Sequence, residues 1–170
     1  GVPDRVRSSV VDDLDQAFYP ERPLLPYTEV VHDRITLEIM RGCAHGCRFC
    51  QAGMTRRPVR CRSVERLREI AEKSYAATGH SEISLASLST SDYRGLDRLV
   101  RDLSSRLDSL GVSLSLPSLR VNDQLRQLPE MINTVRKSGL TLAPEAATER
   151  LRRVINKDIS DEDLFRGVEA

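Results

Sequence analysis

Residues 35–50 read Ile-Thr-Leu-Glu-Ile-Met-Arg-Gly-Cys-Ala-His-Gly-Cys-Arg-Phe-Cys, an apolar run that passes straight into a loop carrying Cys43, Cys47 and Cys50. The run, 35–40, reads as a first strand. Beyond the cysteines, short apolar runs alternate with amphipathic stretches, the order expected of successive strand-helix units around a parallel sheet. The stretch 63–78 puts Val64, Leu67, Ile70, Ala71 and Tyr75 on one helical face, with Ser63 as its N-cap and Gly79 as its stop. A strand is expected at 82–87. A helix follows in which Leu96, Leu99, Val100, Leu103, Leu107 and Leu110 keep the i, i+3, i+4, i+7 spacing up to Gly111.

Residues 112–116 read as the third strand, 124–137 as a third helix with Pro129 shifting its start, and 140–143 as the fourth strand. A helix at 148–155 and another after Ser160, with Asp161, Glu162 and Asp163 in its first turn, close the series. The expected fold is α/β: a partial (β/α) barrel of about four parallel strand-helix units over 35–170. Residues 1–34 contain Pro3, Pro20, Pro23 and Pro26 among acidic side chains and show no sustained period, so an extended lead-in or interdomain linker is expected there. Four parallel strands do not close an eight-stranded barrel, which makes the chain read as a piece of a longer protein with apolar edges exposed.

Composition narrows the function classes. Of 170 residues, 39% are hydrophobic and 30% charged, normal for a globular domain. Twenty-six basic residues against 25 acidic ones give a net charge of +1, so the overall balance argues for neither nucleic acid nor an anionic membrane. No run approaches the roughly 18 to 20 consecutive apolar residues of a membrane helix, and the first thirty residues do not form a signal peptide. A cytoplasmic protein without a membrane role is expected. Three of the four cysteines fall within eight positions, which reads as a metal site in a reducing compartment and not as a disulfide framework.

In parallel α/β folds, ligands bind at the carboxyl ends of the strands. The chemistry-bearing loops sit there: 43–50 after strand one, 87–92 after strand two, 117–122 after strand three, and Pro144-Glu145 after strand four. The Cys-x3-Cys-x2-Cys spacing supplies three thiolates to a four-iron cube and leaves one iron open to a substrate group. Two alternatives stay open on the residues alone. Cys61, eleven residues beyond Cys50, would close the cluster into a non-catalytic electron carrier, and His45 or Cys61 would complete a four-ligand zinc site.

The cysteine loop, with Phe49 just before its last cysteine, resembles that of the radical S-adenosylmethionine (radical SAM) enzymes. The resemblance covers about residues 30–170. The fuller strings Arg-Gly-Cys-Ala-His-Gly-Cys-Arg-Phe-Cys-Gln-Ala-Gly and Ala-Pro-Glu-Ala-Ala-Thr-Glu-Arg-Leu-Arg-Arg-Val-Ile-Asn-Lys resemble the uncharacterised fusions of a cobalamin-binding domain to a radical SAM domain. That likeness implies that Cys43, Cys47 and Cys50 bind a [4Fe-4S] cluster whose open iron chelates the methionine part of SAM. An electron then cleaves the sulfonium, and a 5'-deoxyadenosyl radical abstracts hydrogen from a substrate. Methyl or methylthio transfer to RNA or protein is the alternative reaction. Cobalamin, if used, binds a domain outside these residues, and a flavodoxin or ferredoxin is the expected electron donor.

The resemblance also assigns SAM contacts. Phe49 would pack beside the cluster, or serve as an ordinary core aromatic. Ser87, Ser89 and Thr90 stand where the family often has Gly-Gly-Glu for the methionine amino group. Arg120 is suited to a carboxylate partner or to a solvated surface. Glu145 would accept ribose hydroxyls, in a context where Pro144, Ala146 and Ala147 depart from the family's Gly-Ile-Glu-Ser-Gly. Six arginines and no acidic residue lie between Arg41 and Arg62. They suit an acidic reductant, an RNA or phosphorylated substrate, or merely a solvated loop. No aromatic but Phe49 interleaves them, so the stacking platform of a single-strand binder is absent. His32 and His80 stand alone and read as structural.

Overall fold

The computed structural model describes residues 3–6, 9–120 and 142–169. Its elements run β1 (Ile35–Glu38), β2 (Met40–Arg41), α1 (Gln51–Thr55), β3 (Arg60–Cys61), α2 (Val64–Thr78), β4 (Glu82–Ala86), α3 (Leu96–Leu107), β5 (Ser113–Ser115), α4 (Glu149–Val154) and α5 (Asp161–Glu169). Strands β1, β4 and β5 form a parallel sheet in the order β1-β4-β5, with Ile35 opposite Ile83 and Glu82 opposite Ser113. Each crossover is a helix, α2 from β1 to β4 and α3 from β4 to β5, as parallel pairing requires. The chain is therefore α/β, with the strand-helix alternation that its sequence predicts. The expected helix 124–137 and residues 140 and 141 of the expected fourth strand lie outside the described residues, while Leu142 and Ala143 carry no strand pairing among them.

Burial follows the apolar period. Val64, Leu67, Ile70 and Ala71 turn one face of α2 inward, and Leu96, Leu99, Val100, Leu103 and Leu107 do the same for α3. These meet Ile35, Leu37, Ile83 and Leu85 of the sheet. Burying each such side chain contributes about 1.5–3 kcal/mol. The ends of both helices are where the sequence puts them. Ser63 Oγ accepts from Arg66 N at 3.2 Å, and Gly79 and Gly111 take the left-handed conformation at φ +68° and +70°. A short 3-10 turn, Asp108–Leu110, fills the gap between α3 and Gly111.

The expected single strand 35–40 is corrected by the structure, which splits it at Ile39. The Ile39 N–H still donates to Ala86 O of the parallel sheet at 3.0 Å, but its carbonyl accepts from Arg62 N at 2.9 Å. Past that residue, β2 pairs with β3 in an antiparallel ribbon, Met40 opposite Cys61. One backbone residue thus changes partners, and the ribbon carries the cysteine loop away from the sheet.

Within the lead-in, residues 11–19 lie against β1, β3 and the start of α2. Leu14 is 1% exposed and sits in a 3-10 turn capped by Asp13. Asp15 Oδ1 accepts from Ser63 N at 2.8 Å, and Tyr19 donates its hydroxyl to Thr36 O at 2.7 Å. Arg62, itself buried, donates to the carbonyls of Leu14 and Ala17. Replacing Arg62 by Met keeps bulk but removes those charged donors, leaving the Leu14 carbonyl only its bond from Ala17 N, at a cost of about 1–3 kcal/mol. Hydrogen-exchange mass spectrometry on R62M is expected to reveal faster exchange over 12–19 with α3 still protected; equal loosening of both would disprove this local role.

Candidate cofactor site at the cysteine loop

Gly42 opens the loop at φ +95°, and a Cβ placed on it would stand 2.4 Å from Arg56 O and 2.8 Å from Pro58 O. Only glycine lets the outgoing chain pass so close to the strand returning from α1. Beyond it, Cys47 is buried and Cys43 and Cys50 are half-buried, all as free thiols. Cys50 caps α1, its Sγ accepting from Gly53 N at 3.3 Å. Arg120 Nη1 stands 3.8 Å from Cys47 Sγ. Cys61 lies apart on β3, and desolvation raises its thiol pKa with partial relief from Arg94.

Two neighbouring segments hold the loop. From the end of α4, Asn156 Nδ2 donates to Gly46 O at 2.8 Å, and Ile155 O accepts from Arg48 N at 2.9 Å. Lys157 Nζ stands 5.9 Å over the half-exposed Phe49 ring and pairs with Glu145 at 3.2 Å, so these three residues form one cluster. From the loop after β4, Asp92 Oδ2 accepts from His45 Nε2 at 2.7 Å. Arg57 Nε donates to Gly53 O at 2.9 Å from within the loop's own return. Arg48, Arg57, Arg60 and Arg62, taken at sequence level as a basic run, all donate to backbone carbonyls.

The loop after β4 is in turn zipped to the one after β5. Thr90 Oγ1 donates to Pro117 O at 2.7 Å and therefore receives the Ser87 hydroxyl, 3.0 Å away. Thr90 N donates to Ser118 O, and Arg120 N to Ser91 Oγ, both at 3.0 Å. Ser89 Oγ is buried without a hydrogen-bond partner among the described residues. Ser87, Ser89, Thr90 and Arg120 are thus gathered beside the cysteine loop. Among the described residues, Glu145, at φ +68°, is linked to it through Lys157.

A cavity of about 630 Å³ opens at the carboxyl ends of β1 and β4, lined by Glu38, Arg41, Gly42, Ala52, Ala86 and Ser87 among others. Arg41 holds Glu38 in two hydrogen bonds of 2.8 and 2.6 Å. These bonds keep the Glu38 carboxyl below the ordinary glutamate range against the opposing effect of burial.

Among the described residues, no three His, Cys, Asp or Glu side chains are gathered closely enough to hold a metal ion. The donor set nonetheless fits an iron–sulfur cluster on its chemistry. Three thiols share one loop, and N–H donors face two of the sulfurs, which suits sulfur bearing negative charge. The sequence model of the radical SAM superfamily matches residues 37–170, from β1 through the last helix. The chain belongs to the radical SAM superfamily. Membership in it implies, in general, a [4Fe-4S] cluster and SAM. An uncharacterised protein of Methanocaldococcus jannaschii is 35% identical over 136 residues, 78% of this chain and 28% of that protein. The chain thus spans less than a third of that relative's length. No helix among the described residues is long and apolar enough to cross a membrane.

Three features of this radical SAM site escaped the sequence reading: the His45–Asp92 bond, the Asn156 tether and the Arg41 clamp on Glu38. The last alone left a local trace, as an acid and a base three residues apart. Since the folded Glu38 pKa is depressed, its stabilising contribution is full above the unfolded value, about 4.3, and fades as pH falls through the folded one. Urea titrations between pH 3 and 7 are expected to give E38Q a flatter acid limb than the parent; parallel curves would rule out the linkage. Gly42→Ala is expected to cost about 2–4 kcal/mol from backbone collision and left-handed strain, read from the same denaturation midpoint.

Proposed function

We propose that this chain is the cluster-bearing part of an enzyme that cleaves SAM reductively and delivers a hydrogen-abstracting radical to a substrate. The observation that supports it is the placement of Cys43, Cys47 and Cys50 in one loop at the carboxyl end of β1, beside the cavity bounded by Glu38 and Ser87. Held by Cys43, Cys47 and Cys50, a reduced [4Fe-4S] cluster would supply the one electron that cleaves the C5'–S bond of SAM to methionine and a 5'-deoxyadenosyl radical, and that radical would take a hydrogen atom from the substrate. A reduced flavodoxin or ferredoxin provides that electron.

The chain's own residues do the holding. Cys43, Cys47 and Cys50 would ligate three irons, with Gly53 N–H donating to the Cys50 sulfur. Phe49, with Lys157 over its ring, would offer an apolar face beside the bound cluster. Ser87 lines the cavity that SAM would occupy, and Ser89 and Thr90 follow it in the same loop. Ser89, whose buried hydroxyl lacks a partner, is the one with an unspent hydrogen bond to give. Water exclusion comes from the zipped loops over 87–92 and 117–120, whose backbone and hydroxyl groups satisfy one another.

Anaerobic reconstitution of the full natural protein with iron and sulfide, then dithionite and SAM, is expected to yield 5'-deoxyadenosine. Cys47→Ala should reduce that yield to background, while Cys61→Ser should leave it within about twofold of the parent. A reduced cluster that leaves SAM intact, with an EPR spectrum unaltered by SAM, would replace this reading with electron transfer.

A further inference from the structure

The Arg120 side chain has a more specific role open to it than pairing with a carboxylate. Its backbone is fixed by the bond from its N–H to Ser91 Oγ at 3.0 Å. The preceding residues are fixed as well, because Thr90 binds the carbonyls of both Pro117 and Ser118. Ser118 adopts φ +61°, a left-handed turn that a serine enters only under such restraint. From this anchored position the half-buried guanidinium reaches Cys47 Sγ at 3.8 Å, across 73 residues of sequence. Cys47 is the most buried of the three loop thiols, at 9% exposure. Water therefore has least access to the sulfur that Arg120 faces.

We infer that Arg120 tunes the reduction potential of the cluster by hydrogen bonding to the Cys47 sulfur. This rests on the ligand assignment proposed above. Reduction adds one electron to the cluster and its thiolates, and a fixed positive charge with an N–H aimed at one sulfur favours that more negative state. Arg120 acts through the sulfur and is a positioning residue, not a catalytic one.

Redox titration of the reconstituted full-length protein, followed by EPR in the absence of SAM, reads this directly. In Arg120→Gln the ratio of reduced to oxidised cluster at a fixed poise is expected to fall about tenfold, a one-electron shift of about 59 mV. Arg120→Lys, which keeps the charge and loses the fork, is expected to lie between. Unchanged potentials in both variants would overturn the inference, as would loss of the cluster from both, which would make Arg120 an assembly residue. If the parent protein takes up no cluster, it is the ligand assignment that fails.

Discussion

At Ile39 the backbone spends its N–H on Ala86 in the parallel sheet and its carbonyl on Arg62 in the antiparallel ribbon. A strand that continued straight would carry the following residues along the sheet; the exchange of partners instead lifts Met40 onto β3 and throws the cysteine loop over the carboxyl ends of β1 and β4. Backbone polar groups cannot be left unpaired in a core where Ile39 is fully buried. The departure therefore needs a second strand ready to receive it, and the segment 58–62 exists in that position because Gly42 lets the two runs approach. Sheet, ribbon and loop are one mechanical unit.

The loop's other restraints come from far along the chain. Asp92 and Arg120 reach it from the loops that follow β4 and β5, and Asn156 from the end of α4. The first two belong to the loops after successive strands of the sheet, and the third to the turn after α4. In parallel α/β architecture the loops after the strands share one face, so the Asp92 and Arg120 contacts, 47 and 73 residues apart in sequence, are local in space, and the turn after α4 meets the same loop across 110 residues. A site built this way is rigid only when the later units are folded. The apolar periods of α2 and α3 thus bear on the position of sulfur atoms that neither helix touches.

How much of this the sequence disclosed depends on the range of the interaction. Ser63, Gly79, Gly111 and Thr148 all cap as their residue types dictate, because capping bonds join residues three or four apart. The core faces of α2 and α3 are legible for the same reason. The run 35–40 reads as a single strand because nothing in Ile39 itself marks a change of partner; that information resides in Ala86 and Arg62. The arginine-rich stretch 41–62 looks like a solvated or docking surface to a reading that counts charges. In the fold, Arg62 is 2% exposed and most of its neighbours are bound to carbonyls. Charge composition cannot distinguish a guanidinium facing solvent from one facing backbone.

That distinction gives a physical use to part of an otherwise unexplained bias, 23 arginines against three lysines. Arg152 is fully buried and donates to the carbonyls of Ala146, Ala147 and Ile159 as well as to Asp161. Irregular chain on either side of α4 has no ladder to satisfy those carbonyls. A planar fork with five donors in fixed directions meets several of them at once. A lysine ammonium in the same place would meet fewer, and its stronger hydration makes burial costlier. Arg62 serves the carbonyls of 14 and 17 in the same way, at the opposite end of the chain. Among the described residues, these two buried arginines replace secondary structure where the fold has none, and the segment Arg152 organises is the one that delivers Asn156 and Lys157 to the cysteine loop.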